Sequence, residues 1–308
     1  MKRIFVLLLS ILMLLNVAAC GKSPEEPKAD ATVPATIPAE STEAPTVAPT
    51  TPPVTIVDSD ENALIDNENV TFAITSIEDN AHMGMQLQVQ CVNKTDRTLL
   101  FSWDMVSVCG FMYDPFWAEE VAAGKTANST IYLDTYQLEK MDVASVDEIS
   151  FTLRVIDSEN WMEAPLVEEA FTVYPTGLNA DTLVLPNRAP TDGQIVLVDN
   201  ENLRFVIEWA DSESASAYTV YVYAENKTDR NLMYAWDLVS VNDLMIDPFW
   251  AVSVAAGKKA CSEVTFYRSD LEANGITEVS KIEFTLLVSD YDDWEADYLL
   301  EESYTYQP

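Results

Sequence analysis

Histidine is nearly absent: His82, in the acidic stretch EDNAHMG, is the only one in 308 residues. Ser-His, Cys-His and His-metal chemistry therefore has at most one place to stand in this chain. Cations are scarce too, with 17 Lys and Arg against 51 Asp and Glu and a net charge of −34 at pH 7. That imbalance keeps a protein soluble and repels nucleic acid and anionic lipid headgroups. A solvated acidic surface without a specific role accounts for it equally well. Cysteine is sparse, and beyond Cys20 only Cys91, Cys109 and Cys261 remain, an odd number that cannot all pair within one chain. None of them has zinc-type spacing. The apolar run Ile4 to Leu15 is about a dozen residues, too short to span a bilayer permanently. Apolar residues are nevertheless plentiful, at 48%, which excludes disorder for the bulk of the chain.

Residues 1–20 have the parts of a secretory leader: Lys2 and Arg3, then the apolar run, then small residues Val17, Ala18 and Ala19 before Cys20. This ending resembles the lipobox of bacterial lipoproteins. The resemblance implies a diacylated Cys20 as the first residue of the mature chain, lipid-anchored at the extracytoplasmic face of the cell membrane. Two acyl chains supply the two hydrophobic signals that stable anchoring needs. A signal peptide with a chance cysteine and an uncleaved anchor are the alternatives. Without Lys2 and Arg3 the balance is 15 cations against 51 anions, a charge near −36. Residues 21–56 are rich in Pro and Thr and lack aromatics. They read as a disordered, polyproline-like tether reaching roughly 110 Å when fully extended, or about 33 Å as a flexible coil.

The rest of the sequence is a duplication. Asp66 to Pro175 aligns with Asp199 to Pro308 at a constant offset of 133 without a gap, and about two in five aligned positions are identical. The period is too long for a solenoid repeat, and each copy has the size of a small domain. The expected organisation is repeat 1 at 57–175, a Pro/Gly/Asn/Asp-rich linker at 176–194, and repeat 2 at 195–308. No cysteine recurs, since Ala224, Asn242 and Asn128 occupy the matched positions, so no disulfide belongs to the shared design.

Within a copy, short runs of alternating polarity are separated by turn chemistry. Val70 to Ile77, Met85 to Val92 and its counterpart Tyr218 to Tyr223 read as strands. Asn93 to Arg97 (NKTDR) and Asn226 to Arg230 read as hairpin loops. Such a hairpin sets Cys91 opposite roughly residue 100, which argues against a Cys91–Cys109 disulfide. Leu99 to Val108 follows as a strand with Phe101, Trp103 and Met105 on one face. Ser129 to Leu133, Ile149 to Ile156 and Glu169 to Tyr174 are further strands, and Tyr136 to Met141 and Ser269 to Ala273 fit short helical turns. Six or seven strands in about 110 residues, with few helical segments and no βαβ unit, predict an all-β protein of two tandem antiparallel β-sandwiches.

A strand ending in N-K-T-D and a later A-A-G-K turn before a strand resemble the immunoglobulin-like accessory domains of Gram-positive surface lipoproteins. The resemblance covers both copies. Trp103 and Trp236 are present, but the paired cysteines of antibody domains are not. What it implies is an immunoglobulin-like binding or display module with no catalytic residues to carry over.

Two motifs shared by both copies are candidates for binding. The first is D-P-F-W-A, in which Phe116, Trp117, Phe249 and Trp250 offer aromatic faces for sugar rings or peptide. Alternatively Pro115 and Pro248 break the strand and the aromatics fold back to seal the sandwich. The second is the loop D-S-E-N-W or D-Y-D-D-W, where Asp157, Glu159, Asp290, Asp292 and Asp293 provide oxygen ligands of the kind calcium takes. The alternative there is a solvated acidic turn over Trp161 and Trp294. A-A-G-K at Ala122 to Lys125 and Ala255 to Lys258 lacks the first Gly and the Ser/Thr of a phosphate loop. N-K-T at Asn93 and Asn226 matches the glycosylation pattern, incidentally in a bacterium. No enzyme is expected: His82 is Ala215 in the second copy, and a domain of about 110 residues offers little room for a glycosidase cleft. The expected function is display of two binding modules toward a wall polymer, a glycan or a protein, with no cofactor unless calcium stabilises the loops. A spacer lipoprotein that recognises nothing is the alternative.

Overall fold

The structure is a computed structural model that describes residues 63–80, 84–186, 188–293 and 295–308. Cys20, the tether at 21–56, His82 and Trp294 lie outside the described residues. In repeat 1 the elements are β1 (Ala63–Asp66), β2 (Val70–Asn80), β3 (Gly84–Asn93), β4 (Leu99–Val108), β5 (Phe111–Met112), β6 (Ala118–Val121), β7 (Thr126–Leu133), α1 (Thr135–Lys140), β8 (Ile149–Asp157) and β9 (Val167–Val173). Repeat 2 follows the same order as β10 (Ile195–Asp199), β11 (Leu203–Asp211), β12 (Ala217–Asn226), β13 (Leu232–Val241), β14 (Leu244–Met245), β15 (Ala251–Val254), β16 (Lys259–Tyr267), α2 (Arg268–Ala273), β17 (Ile282–Asp290) and β18 (Leu300–Tyr306).

The protein is all-β, built of antiparallel sheets packed face to face. In repeat 1 one sheet runs β1-β2-β3-β7, and the other runs β5-β4-β8-β9 with β6 also on β4. Repeat 2 repeats this as β10-β11-β12-β16 against β14-β13-β17-β18, with β15 on β13. Alternation along the strands explains the layers: in β8 every second residue from Ile149 to Asp157 is buried, as period-2 geometry requires. Each repeat buries its own core, one running from Ile65 to Val173 and one from Leu203 to Tyr306. The second sheet of repeat 1 continues into the first sheet of repeat 2 through one parallel contact, Lys259 beside Phe111.

Two local expectations are corrected. N-K-T-D-R is not a hairpin, because β3 pairs with β2 and β7 while β4 pairs with β5, β6 and β8. The chain changes sheet at this corner, and Asn93, buried within it, holds both sides. Its Nδ2 donates to the carbonyls of Arg97 (2.6 Å) and Val121 (2.8 Å), and its Oδ1 accepts from Thr95 N and Oγ1 (2.9 and 2.7 Å). Asn226 makes the matching bonds to Arg230, Val254 and Thr228. The register argument against a Cys91–Cys109 disulfide thus falls with the hairpin, yet Cys91, Cys109 and Cys261 are all free thiols.

The second correction concerns Met105. A bulge between Asp104 and Ser107 puts Met105 at φ 48° and shifts the alternation, so Val106 is buried and Met105 is not. Leu238 takes the same conformation at φ 51° and is 67% exposed. The helical turns fall within a residue of expectation. Asp134 caps α1 by accepting from Gln137 N at 3.0 Å.

Candidate functional site

The D-P-F-W segment follows β5 and β14, where proline ends the ladder because it has no N–H to donate. Asp114 Oδ1 accepts from Phe116 N at 2.8 Å, and Asp247 Oδ1 accepts from Phe249 N at 2.7 Å. These turns drive both phenylalanines into the left-handed region, at φ 48° and 50°. A bulky aromatic there is uncommon and costs about 1–3 kcal/mol. The reversal points the two aromatics of each motif in different directions. Phe116 and Phe249 are 89% and 69% exposed, whereas Trp250 is buried and Trp117 is half-buried against the first core.

The tryptophans are fixed in place. Trp117 Nε1 donates to Ser129 Oγ at 3.1 Å and Trp250 Nε1 to Ser262 Oγ at 3.0 Å. Trp117 meets Trp103 edge to face at 5.9 Å and Trp103 stacks on Phe151 at 3.8 Å; Trp250, Trp236 and Phe284 repeat this at 5.8 and 3.7 Å. Each repeat therefore carries a rigid aromatic ladder inside and one phenyl ring outside it. A four-ring platform is not assembled; two separate phenylalanines are presented.

The acidic loops are organised by arginine. Asp157, nearly fully buried, accepts from Glu159 N (3.0 Å), Asn160 Nδ2 (3.1 Å) and Arg97 Nη1 (3.1 Å). The hydrogen bonds from Asn160 and Glu159 and the charge of Arg97 hold the Asp157 carboxyl below the usual aspartate range. Asp290 accepts from Asp292 N (3.0 Å), Asp293 N (3.1 Å) and Arg230 Nη1 (3.0 Å). Glu159, Asp292 and Asp293 are exposed at the rim, with Asp292 accepting from Asn231 and Asp293 from Glu295 N. Each buried carboxylate is thus ion-paired with a guanidinium, which offsets its negative charge. Among the described residues no group of three or more His, Cys, Asp or Glu comes together to hold a metal. Trp161 does not pack beneath its loop but is 53% exposed, beside the exposed Met162.

Sequence reasoning missed the Arg97–Asp157 and Arg230–Asp290 pairs, although both copies retain them at a spacing of 60 residues. It also missed the exposed apolar residues Leu238, Leu244 and Met245. In repeat 1 a cleft of about 380 Å³ lies among Ile77, Met85, Leu138, Val143, Val146 and Pro175. Tyr218 occupies the position of Met85 in repeat 2 and is buried there.

No protein-family model matches the chain, and no curated protein matches it. Among solved structures, the chain is similar to the Salmonella enterica SafA pilin in complex with the SafB chaperone, at 10% identity over 80% of this chain and 100% of that one, TM-score 0.24. It is also similar to a β-D-mannosidase from Dictyoglomus thermophilum, at 12% identity over 73% of this chain and 22% of that one, TM-score 0.23. A protein of unknown function from Porphyromonas gingivalis W83 aligns at 10% identity over 78% of this chain and 99% of that one, TM-score 0.21. Similarity this low carries no argument about function.

Proposed function

We propose that the chain is an extracytoplasmic lipoprotein, anchored through Cys20, that displays two immunoglobulin-like binding modules on a Pro/Thr tether. The observation that carries the binding part is Phe116 and Phe249, each exposed, each held at positive φ by an aspartate turn, and each backed by a hydrogen-bonded tryptophan. Strain kept at the same place in both copies is what a presented ligand contact looks like. A phenyl ring fits the face of a sugar or an apolar side chain of a peptide, and two copies on one chain support bivalent capture. The sequence of the leader supports the anchor.

The test uses the chain from residue 20 onward with Cys20→Ser, applied to arrays of wall polymers and glycans. Binding that is lost in the Phe116→Ala/Phe249→Ala double variant, with an unchanged melting temperature, supports the reading. A wild type that binds nothing on these arrays, or a double variant that binds as wild type does, removes Phe116 and Phe249 as the contact. The ion-paired junction between the repeats favours a second reading, a stiff spacer whose repeats hold a distal segment away from the membrane.

A further inference from the structure

The cleft beside α1 in repeat 1 has an apolar floor and an acidic rim. Its volume, about 380 Å³, lies within the roughly 300–1,000 Å³ of small-molecule sites. Met85, Leu138, Val143 and Val146 are buried along the floor. Asp79, opposite Met85 in the β2–β3 ladder, and Glu139 of α1 also line the cleft, and both are exposed. Among the described residues neither carboxylate has an ion-pair partner, and no Lys or Arg lines the cleft.

Repeat 2 builds the same place with different side chains. Leu271, Ile276 and Val279 match Leu138, Val143 and Val146 at the 133-residue offset, and all are buried. The register matches too, since Met85 faces Leu133 across β3 and β7 as Tyr218 faces Phe266 across β12 and β16. Three changes fall together around this floor: Tyr218 stands at the position of Met85, Arg268 at that of Thr135 and Ser212 at that of Asp79. Tyr218 is buried, and the Arg268 guanidinium crosses to the β11–β12 turn, donating from Nε to Ser214 O at 3.3 Å and from Nη2 to Ser212 O. Its charge acts on the Tyr218 hydroxyl, opposing the rise in pKa that burial causes. Repeat 2 thus completes this floor with an aromatic ring and a cation. Repeat 1 supplies neither at the matched positions and puts a carboxylate, Asp79, on the wall that Arg268 reaches in repeat 2.

We propose that the cleft of repeat 1 is a binding site for a small aromatic amine, whose ring takes the place that Tyr218 fills in repeat 2 and whose ammonium meets Asp79 and Glu139. Burial of the ring on the apolar floor supplies the affinity, and the two carboxylates supply the preference for a cation over an anion of the same shape. Neither Phe116 nor Phe249 lines the cleft, so the site stands or falls independently of them.

The probe is phenethylamine, titrated at neutral pH and physiological salt into a Cys20→Ser chain lacking residues 1–19 whose methionine methyl groups are isotope-labelled. Met85 reports occupancy by NMR, its signal assigned by its loss in Met85→Leu. That signal is expected to move and to saturate with a Kd of ~1 mM or below, a range open to so small a ligand, while phenylacetate leaves it in place. Asp79→Asn/Glu139→Gln, which changes two exposed side chains, should weaken binding at least ~5-fold. Removing two of 51 carboxylates barely alters the overall field of the chain, so that loss reports local contact. Thr135→Arg brings the guanidinium of repeat 2 into repeat 1 and should weaken binding ~10-fold or more by like charge and occupied space. A Met85 signal that stays in place or drifts without saturating up to ~10 mM amine overturns the proposal. So does an equal response to phenylacetate, or undiminished binding by either variant.

Discussion

Replacing Asn93 by Ala removes four hydrogen bonds from the corner where the chain changes sheet: two to the carbonyls of Arg97 and Val121, and two from Thr95. At a net worth of about 1 kcal/mol each, they contribute roughly 4 kcal/mol. The bond to Val121 is fully buried, and its carbonyl would be left unmet, at about 1–3 kcal/mol. Water entering at the Thr95 side offsets part of this, so the expected loss is about 3–5 kcal/mol. In a domain of about 110 residues that lowers the melting temperature by roughly 10–25 °C and takes much of a total stability of ~5–15 kcal/mol. Urea unfolding followed by tryptophan fluorescence reads the change. Asn128, exposed on β7 with its side chain accepting from Gln90 Nε2, is the control and should cost less than ~0.5 kcal/mol as Ala. Asn93→Asp keeps the acceptor but aims an anion at two carbonyls, so it should be at least as damaging at pH 7. An Asn93→Ala loss under about 1 kcal/mol would refute the view that this side chain holds the corner.

Trp250→Ala should destabilise by about 3–5 kcal/mol, while Phe116→Ala and Phe249→Ala stay within ~0.5 kcal/mol; similar melting temperatures for all three would contradict the inward and outward split. Cys91 and Cys261 have thiols pushed up to about 12, chiefly by burial, so iodoacetamide at pH 8 should label them in urea and hardly at all in the native protein. Rapid native labelling would contradict that burial. Asp157 has a lowered pKa, so its stabilising effect is complete above the ordinary value of 3.8 and is lost as pH falls through the lowered one. Asp157→Asn should therefore flatten the fall of the urea midpoint below about pH 4, and parallel curves for variant and wild type would count against a carboxylate held ionised by Asn160, Glu159 N and Arg97.

Much of the fold was legible because strand geometry leaves a mark with period two. Val70 to Ile77, Met85 to Val92 and Ile149 to Ile156 alternate, and all three are strands. N-K-T-D-R misled because five polar residues turn a chain equally well within a sheet or between two, and the choice lies in Asn93 reaching Val121, 28 residues away. Met105 misled because a bulge adds a residue that alternation cannot show. The candidate loops were found, but their chemistry was not, since Arg97 lies 60 residues from the aspartate it faces.

The sequence by itself determined the charge, the duplication, the strand-rich class and the residues both copies keep, because these depend on composition and local periodicity. Only the tertiary structure decided which way each shared residue points. Phe116 and Trp117 are neighbours in sequence, and one positive φ sends the first into solvent while the second packs on the core. Equally, β5 and β14 read alike as Phe-Met and Leu-Met. One is covered and the other bare, because coverage depends on what lies across the junction.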